Sequence, residues 1–238
     1  MAQYQSVFKR YELKYRLCGD RYSEFIGCIL PYMSPDIYGN TTICNIYFDT
    51  PDYRLIRNSL EKPVYKEKLR LRTYGIPNAD SPAFAELKKK YKGIVYKRRI
   101  CLPYAEAYNW LINGGSRPDN QVANEIESFI AFYGDLSPVG ALFYDRISYT
   151  GNTDPDLRLT IDKNVRWRKE NPDLTKGGDG IELFGCEEYI IEIKIATSIP
   201  LWLSHILDKL KLYPVSCSKY GTAYVSTIQS SKGVKINV

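Results

Sequence analysis

The sequence predicts a mainly β protein of the α+β class, with an antiparallel sheet that is closed into a barrel or packed as a sandwich, and with added helices. Three short stretches repeat a glutamate, an apolar residue and a lysine: Glu12-Leu13-Lys14, Glu86-Leu87-Lys88 and Glu192-Ile193-Lys194. Each lies in a segment that alternates charged and apolar residues with the period of two typical of strands. The predicted strands and helices do not alternate regularly, which argues against a parallel α/β sheet.

The same alternation, together with the turn residues between segments, predicts where the individual strands and helices lie. The segment 170–185 is rich in glycine and is predicted to be a long loop, either a mobile lid or a disordered excursion. Strands are predicted at about 8–17, 43–49, 64–74, 83–92, 94–102, 140–149, 156–163, 187–196 and 217–226, and helices at about 20–32, 51–60, 103–113, 121–133 and 199–212.

Composition limits the class of protein. The 238 residues are expected to form one domain over 1–238, with its core at about 7–226 and a C-terminal tail at 227–238. A net charge of +6 is a weak indication of an anionic partner. The six cysteines contain no C-x-x-C pair, which favours reduced thiols over disulfides or a zinc site. No signal peptide and no membrane-spanning stretch are visible, and we expect a cytoplasmic protein.

The predicted strands each have one charged face and one apolar face. In segment 66–72 the even positions are all cationic, and Arg10, Glu12, Lys14 and Arg16 share one face of the first strand. These faces are either the solvated exterior of a sandwich or the lining of a wet barrel. We favour the lining, because lysine and arginine dominate the charged faces and the helices need the apolar faces as partners. Like charges crowded in this way repel one another, so the interior is expected to hold an anion.

Six motifs occur in an order that resembles a known family. They are FKRYELKYRL at 8–17, YFDTPDY at 47–53, KLRLRTYG at 68–75, AELK at 85–88, YDR at 144–146 and SKYG at 218–221. Together they resemble the polyphosphate polymerase domain of the VTC (vacuolar transporter chaperone) family, in the triphosphate tunnel metalloenzyme superfamily that also contains the CYTH hydrolases. The resemblance implies an eight-stranded antiparallel tunnel barrel with peripheral helices. It also implies ATP as donor, Mg²⁺ or Mn²⁺ as cofactor, and triphosphate and polyphosphate as ligands.

The resemblance also implies roles for individual residues. Glu192 matches a metal-binding glutamate, and Glu12 is a second candidate ligand. Glu86 and Asp162 could bind metal or pair with neighbouring cations. The match of Lys97 to a phosphate-binding position is less certain, because the sequence does not show which alternate side chains of its strand point inward. Phosphate-binding positions of the reaction centre are matched by Lys14, Arg70, Arg72, Lys88, Arg146, Arg158 and Lys219, and the charged faces add Lys66, Lys68, Lys90 and Lys194 as further substrate-binding candidates.

Three functions are compatible with this pattern. The first is transfer of the γ-phosphoryl group of ATP to a growing polyphosphate chain. The second is hydrolysis of tripolyphosphate or a nucleoside triphosphate, but Arg10 replaces the first glutamate of the Glu-x-Glu-x-Lys motif of CYTH hydrolases. The third is non-enzymatic binding of polyphosphate or RNA, although we expect no nucleic acid because most strand aromatics lie on the apolar side. The single histidine, His205, is expected to be an ordinary helix residue, and the oligomeric state stays open.

Overall fold

The computed structural model describes residues 11–185 and 187–229, and for 228 and 229 it describes the backbone alone. The predicted beginning of the first strand at 8–10, Cys186 and most of the predicted C-terminal tail lie outside the described residues. The five cysteines within them are free thiols. No described helix has the length and apolar character needed to cross a membrane.

The fold is built on one antiparallel sheet. Eight strands form a continuous path in the order β1-β9-β7-β6-β2-β3-β4-β5, and the two-residue strand β8 is added beside β7. The strands are β1 Tyr11–Cys18, β2 Met33–Asp49, β3 Tyr65–Tyr74, β4 Pro82–Tyr91, β5 Ile94–Pro103, β6 Ser137–Gly151, β7 Arg158–Arg168, β8 Ile181–Glu182 and β9 Glu188–Ile195.

The sheet curls until its two end regions face each other. No strand pairing within 11–185 and 187–229 joins β1 to β5, so the sheet is not closed by hydrogen bonds there. The Lys88 ammonium of β4 nevertheless lies 3.1 Å from a carboxylate oxygen of Glu12 in β1. The predicted mainly β tunnel fold with eight principal strands is therefore confirmed, with an open seam between its first and last strands.

Helices cover the outside of the sheet. One apolar core lies between strands β2 to β5 and two helices, and includes Leu69, Leu87, Trp110 and Phe129. A second packs Ile193 and its neighbours in β1, β7 and β9 beneath two other helices. The helices are α1 Gly19–Ile29, α2 Arg54–Leu60, α3 Tyr104–Asn113, α4 Gln121–Tyr133, α5 Leu201–Lys209 and α6 Lys219–Ala223, with α3 and α4 over the first core and α1 and α5 over the second.

This arrangement confirms the predicted parity. Because a strand directs alternate side chains to opposite faces, burying the apolar faces under helices turns the charged faces inward. The inward faces are not uniformly polar. A third apolar cluster contains Tyr47, Leu142 and Trp167 from the sheet and Tyr220 and Ala223 from α6. Helix α6 therefore packs against the inner face of the sheet.

The prediction of a strand at 217–226 is wrong. Residues 219–223 form α6 and Tyr224–Gln229 continue it as a π-helical turn. Ser218 caps α6, because its hydroxyl accepts a hydrogen bond from the backbone N–H of Gly221 (3.1 Å). Tyr220 anchors the helix by donating its hydroxyl to the buried Asp49 carboxylate (2.8 Å). Lys219 thus reaches the interior from a helix and not from a strand.

The segment 170–185 has a folded path along the sheet. The Arg168 guanidinium donates hydrogen bonds to the carbonyl oxygens of Asn171, Asp173 and Gly177, and Leu174 is completely buried. One residue thus satisfies several loop carbonyls that regular secondary structure would otherwise pair. The segment also contributes β8, so the expectation of a disordered excursion does not describe it.

Candidate functional site

Strand register brings the predicted cations onto the inner face. In β3 and β4, Lys66 lies opposite Lys90 and Lys68 opposite Lys88. Lys97 of β5 also lies opposite Lys88, so the side chain of Lys97 points to the inner face. Paired residues of antiparallel strands share a face, so the ladder alone fixes these directions.

The other half of the sheet supplies the acids. Lys14 of β1 lies opposite Glu192 of β9, and Glu12 lies opposite Lys194. Across the next ladder, Arg158 lies opposite Lys194. Arg158 is at the beginning of its strand and is exposed, unlike the other predicted residues of this face.

Glu86 is an anchor for three cations. Its side chain is fully buried, with one oxygen 2.6 Å from the Arg70 guanidinium and the other 2.8 Å from the Lys97 ammonium. Arg72 lies at 3.9 Å. Burial raises the pKa of Glu86, but these three cations more than offset it and hold the pKa well below its usual value. The sequence left two roles open for Glu86, binding a metal or pairing with cations, and the geometry favours the ion pairs.

Asp162 forms a similar anchor on the opposite side. Arg146 donates two hydrogen bonds to its carboxylate at 2.6 and 2.8 Å, and the Lys219 ammonium lies 2.5 Å from the same group. Burial raises the pKa of Asp162, but the two cations reverse this effect and lower the pKa to about 2. The Asp162 carboxylate thus stays charged and ties together β6, β7 and α6.

Tyr144 connects the two anchors. Its hydroxyl accepts a hydrogen bond from the Arg72 guanidinium (3.0 Å), while Arg146 and Lys219 lie over its ring at 5.1 and 4.7 Å. Cations over an aromatic face are attracted by the ring quadrupole. Burial raises the pKa of the phenol, but the surrounding Arg146 and Arg72 lower it overall. The sequence contains Tyr144 in the YDR motif but gives no indication of this link.

Glu192 differs from the other acids because no hydrogen bond holds it within the described residues. The nearest cations are Arg146 at 3.8 Å and Lys194 at 4.0 Å. Thr160 lies opposite it in β7, and its buried hydroxyl has no hydrogen-bond partner. A carboxylate beside an unsatisfied hydroxyl is an oxygen donor set that suits Mg²⁺ or Mn²⁺.

These residues fit a metal ion only in part. The described residues contain no group of three or more His, Cys, Asp and Glu side chains arranged to hold a metal. Glu12 is engaged by Lys88, and is therefore less available than Glu192. A cation at Glu192 would thus need further ligands from phosphate oxygens and water, as Mg²⁺ commonly has.

Three interior lysines form hydrogen bonds only with neutral groups among residues 11–185 and 187–229. The ammonium of Lys14 donates to the carbonyl of Cys217 (2.8 Å), that of Lys68 to the hydroxyl of Ser218 (2.9 Å), and that of Lys66 to the carbonyl of Ser59 (3.2 Å). Burial, reinforced by neighbouring Lys14, Lys66 and Lys88, lowers the pKa of Lys68 to about 7. Burial also lowers the pKa values of Lys14 and Lys66.

Ser218 has no counterpart among the predicted site residues. It was missed because segment 217–226 was interpreted as a strand. The sequence pattern also gives no indication that the hydroxyl of Thr160 lacks a hydrogen-bond partner among the described residues. The sequence signal for Ser218 was the helix-capping serine before Lys-Tyr-Gly.

Comparison with known proteins identifies the family. The profile of the VTC domain matches residues 9–228. The chain belongs to the VTC domain family. The match covers nearly the whole chain and confirms the resemblance of the six sequence motifs. A search of curated proteins found no match.

Solved structures of the same fold are more distant. A proposed adenylate cyclase from Bacillus halodurans has a TM-score of 0.60 and 17% identity, with 95% of this chain and 98% of that chain covered. A proposed adenylyl cyclase from Hippeastrum, described as having a dominant triphosphatase activity, has a TM-score of 0.54 and 17% identity, with 89% and 93% covered. At these identities the two structures show that this chain shares their fold.

The depressed pKa of Lys68 predicts a pH dependence of stability. Above pH 7 the folded chain releases this proton, whereas the unfolded chain holds it until about pH 10.4. The unfolded state therefore binds more protons, and the free energy of unfolding should rise with pH between about 7 and 9.5. The contribution is at most about 1.4 kcal/mol per pH unit for one lysine.

Urea denaturation at pH 7, 8 and 9 measures this slope. Lys68→Met should be more stable than the wild type at pH 7 and should show a smaller slope. Lys209→Met, which changes an exposed lysine of α5, should leave the slope unchanged. A wild-type stability that is flat or falls over this range would contradict the assignment.

Proposed function

We propose that the chain is a polyphosphate polymerase that transfers the γ-phosphoryl group of ATP to a growing polyphosphate chain inside the tunnel. One observation carries this proposal: among the described residues, the ammonium groups of Lys14, Lys66 and Lys68 lie inside the sheet and form hydrogen bonds only to neutral acceptors. Only Lys14 is also attracted by a nearby acid, Glu192. Partly buried cations that form no ion pair destabilise the free protein, and an anionic chain that reaches several strands would compensate them. Membership of the VTC family supports the same conclusion.

The arginines and lysines of the tunnel would bind phosphate in different ways. An arginine fork donates to two phosphate oxygens at once, whereas a lysine provides a mobile point charge. Arg70 and Arg146 are held by Glu86 and Asp162, so their guanidinium groups are positioned before substrate arrives. Phosphoryl transfer needs in-line positioning and neutralisation of charge on the equatorial oxygens. Lys88 and Lys219 would add charge from two further elements.

Glu192 and the unpaired hydroxyl of Thr160 would hold the divalent cation, Mg²⁺ or Mn²⁺. When bound, the cation neutralises phosphate charge and orients the phosphates. Lys194 and Arg146, within about 4 Å of Glu192, would keep its carboxylate ionised and directed into the tunnel. Burial raises the pKa of Glu192, but Lys194, Lys14 and Lys88 hold it well below its usual value.

A triphosphatase is the second candidate, because the same tunnel can accept water in place of a phosphate chain. The triphosphatase activity described for the Hippeastrum protein supports it. A non-enzymatic binder of polyphosphate or RNA is the third. The cations line the inside of a curled sheet rather than one exposed face, which is less suited to RNA.

The acceptor distinguishes polymerase from hydrolase. Purified protein incubated with ATP and Mn²⁺, with and without a short polyphosphate primer, should produce long-chain polyphosphate that is visible on a gel. The reason is that the nucleophile, a terminal phosphate oxygen, needs only to be positioned by the cations. Release of free phosphate alone in both reactions would favour the triphosphatase.

Glu192→Gln tests the metal site. The substitution keeps the shape of the side chain but removes the charge that would bind the cation, so activity should fall by about 10- to 100-fold or require much more Mn²⁺. Glu182→Gln in the exposed strand β8 is the control and should behave as the wild type. An unchanged Mn²⁺ titration in Glu192→Gln would remove this residue from the metal site.

The uncompensated lysines predict how ligand stabilises the protein. Tripolyphosphate should raise the melting temperature of the wild type, because binding to the native state stabilises it. Lys14→Met should lose roughly 1.5–3 kcal/mol of binding, the range for hydrogen bonds to charged groups, while Glu192 keeps Arg146 and Lys194 within about 4 Å. The exposed Arg158 should contribute less than about 1 kcal/mol in Arg158→Met.

Differential scanning fluorimetry with increasing tripolyphosphate measures these shifts. Arg70→Ala is less suitable, because it would leave the buried Glu86 short of a partner and destabilise the fold. Lys209→Met again provides the surface control. Equal melting shifts in Lys14→Met, Arg158→Met and Lys209→Met would mean that the interior lysines do not bind the anion.

A further inference from the structure

Three residues at one end of the tunnel form an aromatic corner: Tyr74, Phe84 and Arg99. The rings of Tyr74 and Phe84 meet edge to face, with centroids 5.7 Å apart and an interplanar angle of 84°. The Arg99 guanidinium lies over the Phe84 ring, 4.9 Å from its centroid. Strand parity places all three on the inner face, since Phe84 lies opposite Arg72, and Arg99 opposite Glu86.

The aromatic corner lies at the end of the tunnel away from α6. Lys68 contacts Ser218 at the beginning of α6. Tyr74 is six residues further along β3, roughly 20 Å for an extended strand, and only two residues, roughly 7 Å, beyond Arg72. Tyr74 is 51% exposed, whereas Phe84 is 8% exposed. The Tyr74 ring thus faces solvent at this end of the tunnel, close to the arginines, and the buried Phe84 ring supports it.

The aromatic corner lies apart from the apolar cluster around α6. In that cluster Tyr47 stacks on Tyr220 at 4.6 Å, and Trp167 lies 5.8 Å from the same ring. Tyr74 and Phe84 belong to none of the three apolar clusters of the described residues. Tyr74 therefore presents an exposed ring at this end of the inner face, in contact with the buried Phe84 ring.

We propose that the aromatic corner binds the purine base of a nucleoside triphosphate whose phosphates lie against Arg70 and Arg72. This inference rests on the proposed function, in which ATP is the donor. A purine presents a large planar face that stacks on phenyl and phenol rings, and an arginine plane stacks on a base in the same way. The base would stay at the mouth while the phosphates point inward, which fixes the direction in which the donor enters.

The same arrangement predicts the selectivity among nucleotides. Stacking depends on the area of the base more than on its hydrogen-bonding edge. ATP and GTP should therefore bind with similar affinity, and CTP and UTP more weakly. Inorganic tripolyphosphate makes no contact with the aromatic corner and serves as the reference ligand.

Isothermal titration calorimetry with ATP and with tripolyphosphate, both in EDTA to prevent turnover, tests the proposal. In Phe84→Leu and Tyr74→Leu the Kd for ATP should rise by about 5- to 150-fold relative to that for tripolyphosphate, the range for loss of one base–aromatic stack. Phe84→Tyr keeps the ring and should keep most of the ATP affinity. Tyr96→Leu is the matched control, because Tyr96 lies on the outer face of the same sheet edge.

The outcomes separate the two proposals. A selective loss of ATP affinity in Phe84→Leu and Tyr74→Leu, absent in Tyr96→Leu, supports the base site. If tripolyphosphate binds and the ratio of the two Kd values does not change in these variants, the base site is wrong and the proposed function stands. If neither ligand binds the wild type in EDTA, nor after Mg²⁺ is added in excess of the EDTA, both proposals fail. Tripolyphosphate binding also reports that each variant is folded.

Discussion

The structure depends on two buried carboxylates that hold cations inside a curled sheet. Glu86 joins β3, β4 and β5 through Arg70 and Lys97, and Asp162 joins β6, β7 and α6 through Arg146 and Lys219. An isolated ion is costly to bury, and the cost is offset only where charge and hydrogen bonds are both satisfied. Each acid serves more than one cation, so that the walls are tied together while the interior keeps an excess of positive charge.

The excess of positive charge inside the sheet is a compromise between the stability of the free protein and the binding of an anion. If every interior lysine had its own carboxylate, the free protein would be more stable but the tunnel would no longer attract a polyanion. Lys68 shows the compromise most clearly, because burial and neighbouring lysines lower its pKa to about 7. At neutral pH such a group is partly neutral, which relieves repulsion, and a bound anion would restore its charge. The positive charge of the tunnel should therefore be higher when an anion is bound than when the tunnel is free.

Much of this arrangement could be predicted from strand parity. Alternation assigned Lys14, Arg70, Lys88 and Glu192 to one face, and the need to bury apolar faces beneath helices turned that face inward. Parity could not tell which acids are paired, since Glu86 and Glu192 occupy equivalent positions in their motifs and differ only in the cations that surround them. It also could not show that α6 packs inside the sheet, because tyrosine, threonine and valine in 217–226 favour a strand locally. Tertiary packing on Tyr47 and Asp49 overrides that preference.

The distribution of acids also bears on which acceptor the tunnel suits. Attack by water on a phosphate is helped by a group that orients the water and accepts its proton, whereas a polyphosphate terminus is already an anion. Within the described residues of the tunnel lining, Glu86, Asp162 and Glu12 are engaged with cations, and Glu192 faces the position where a metal would sit. The lining therefore offers abundant positive charge and few carboxylates free to act as a base. Such a lining suits the positioning of two phosphate chains end to end better than the activation of water, and this is the physical reason for proposing a polymerase rather than a hydrolase.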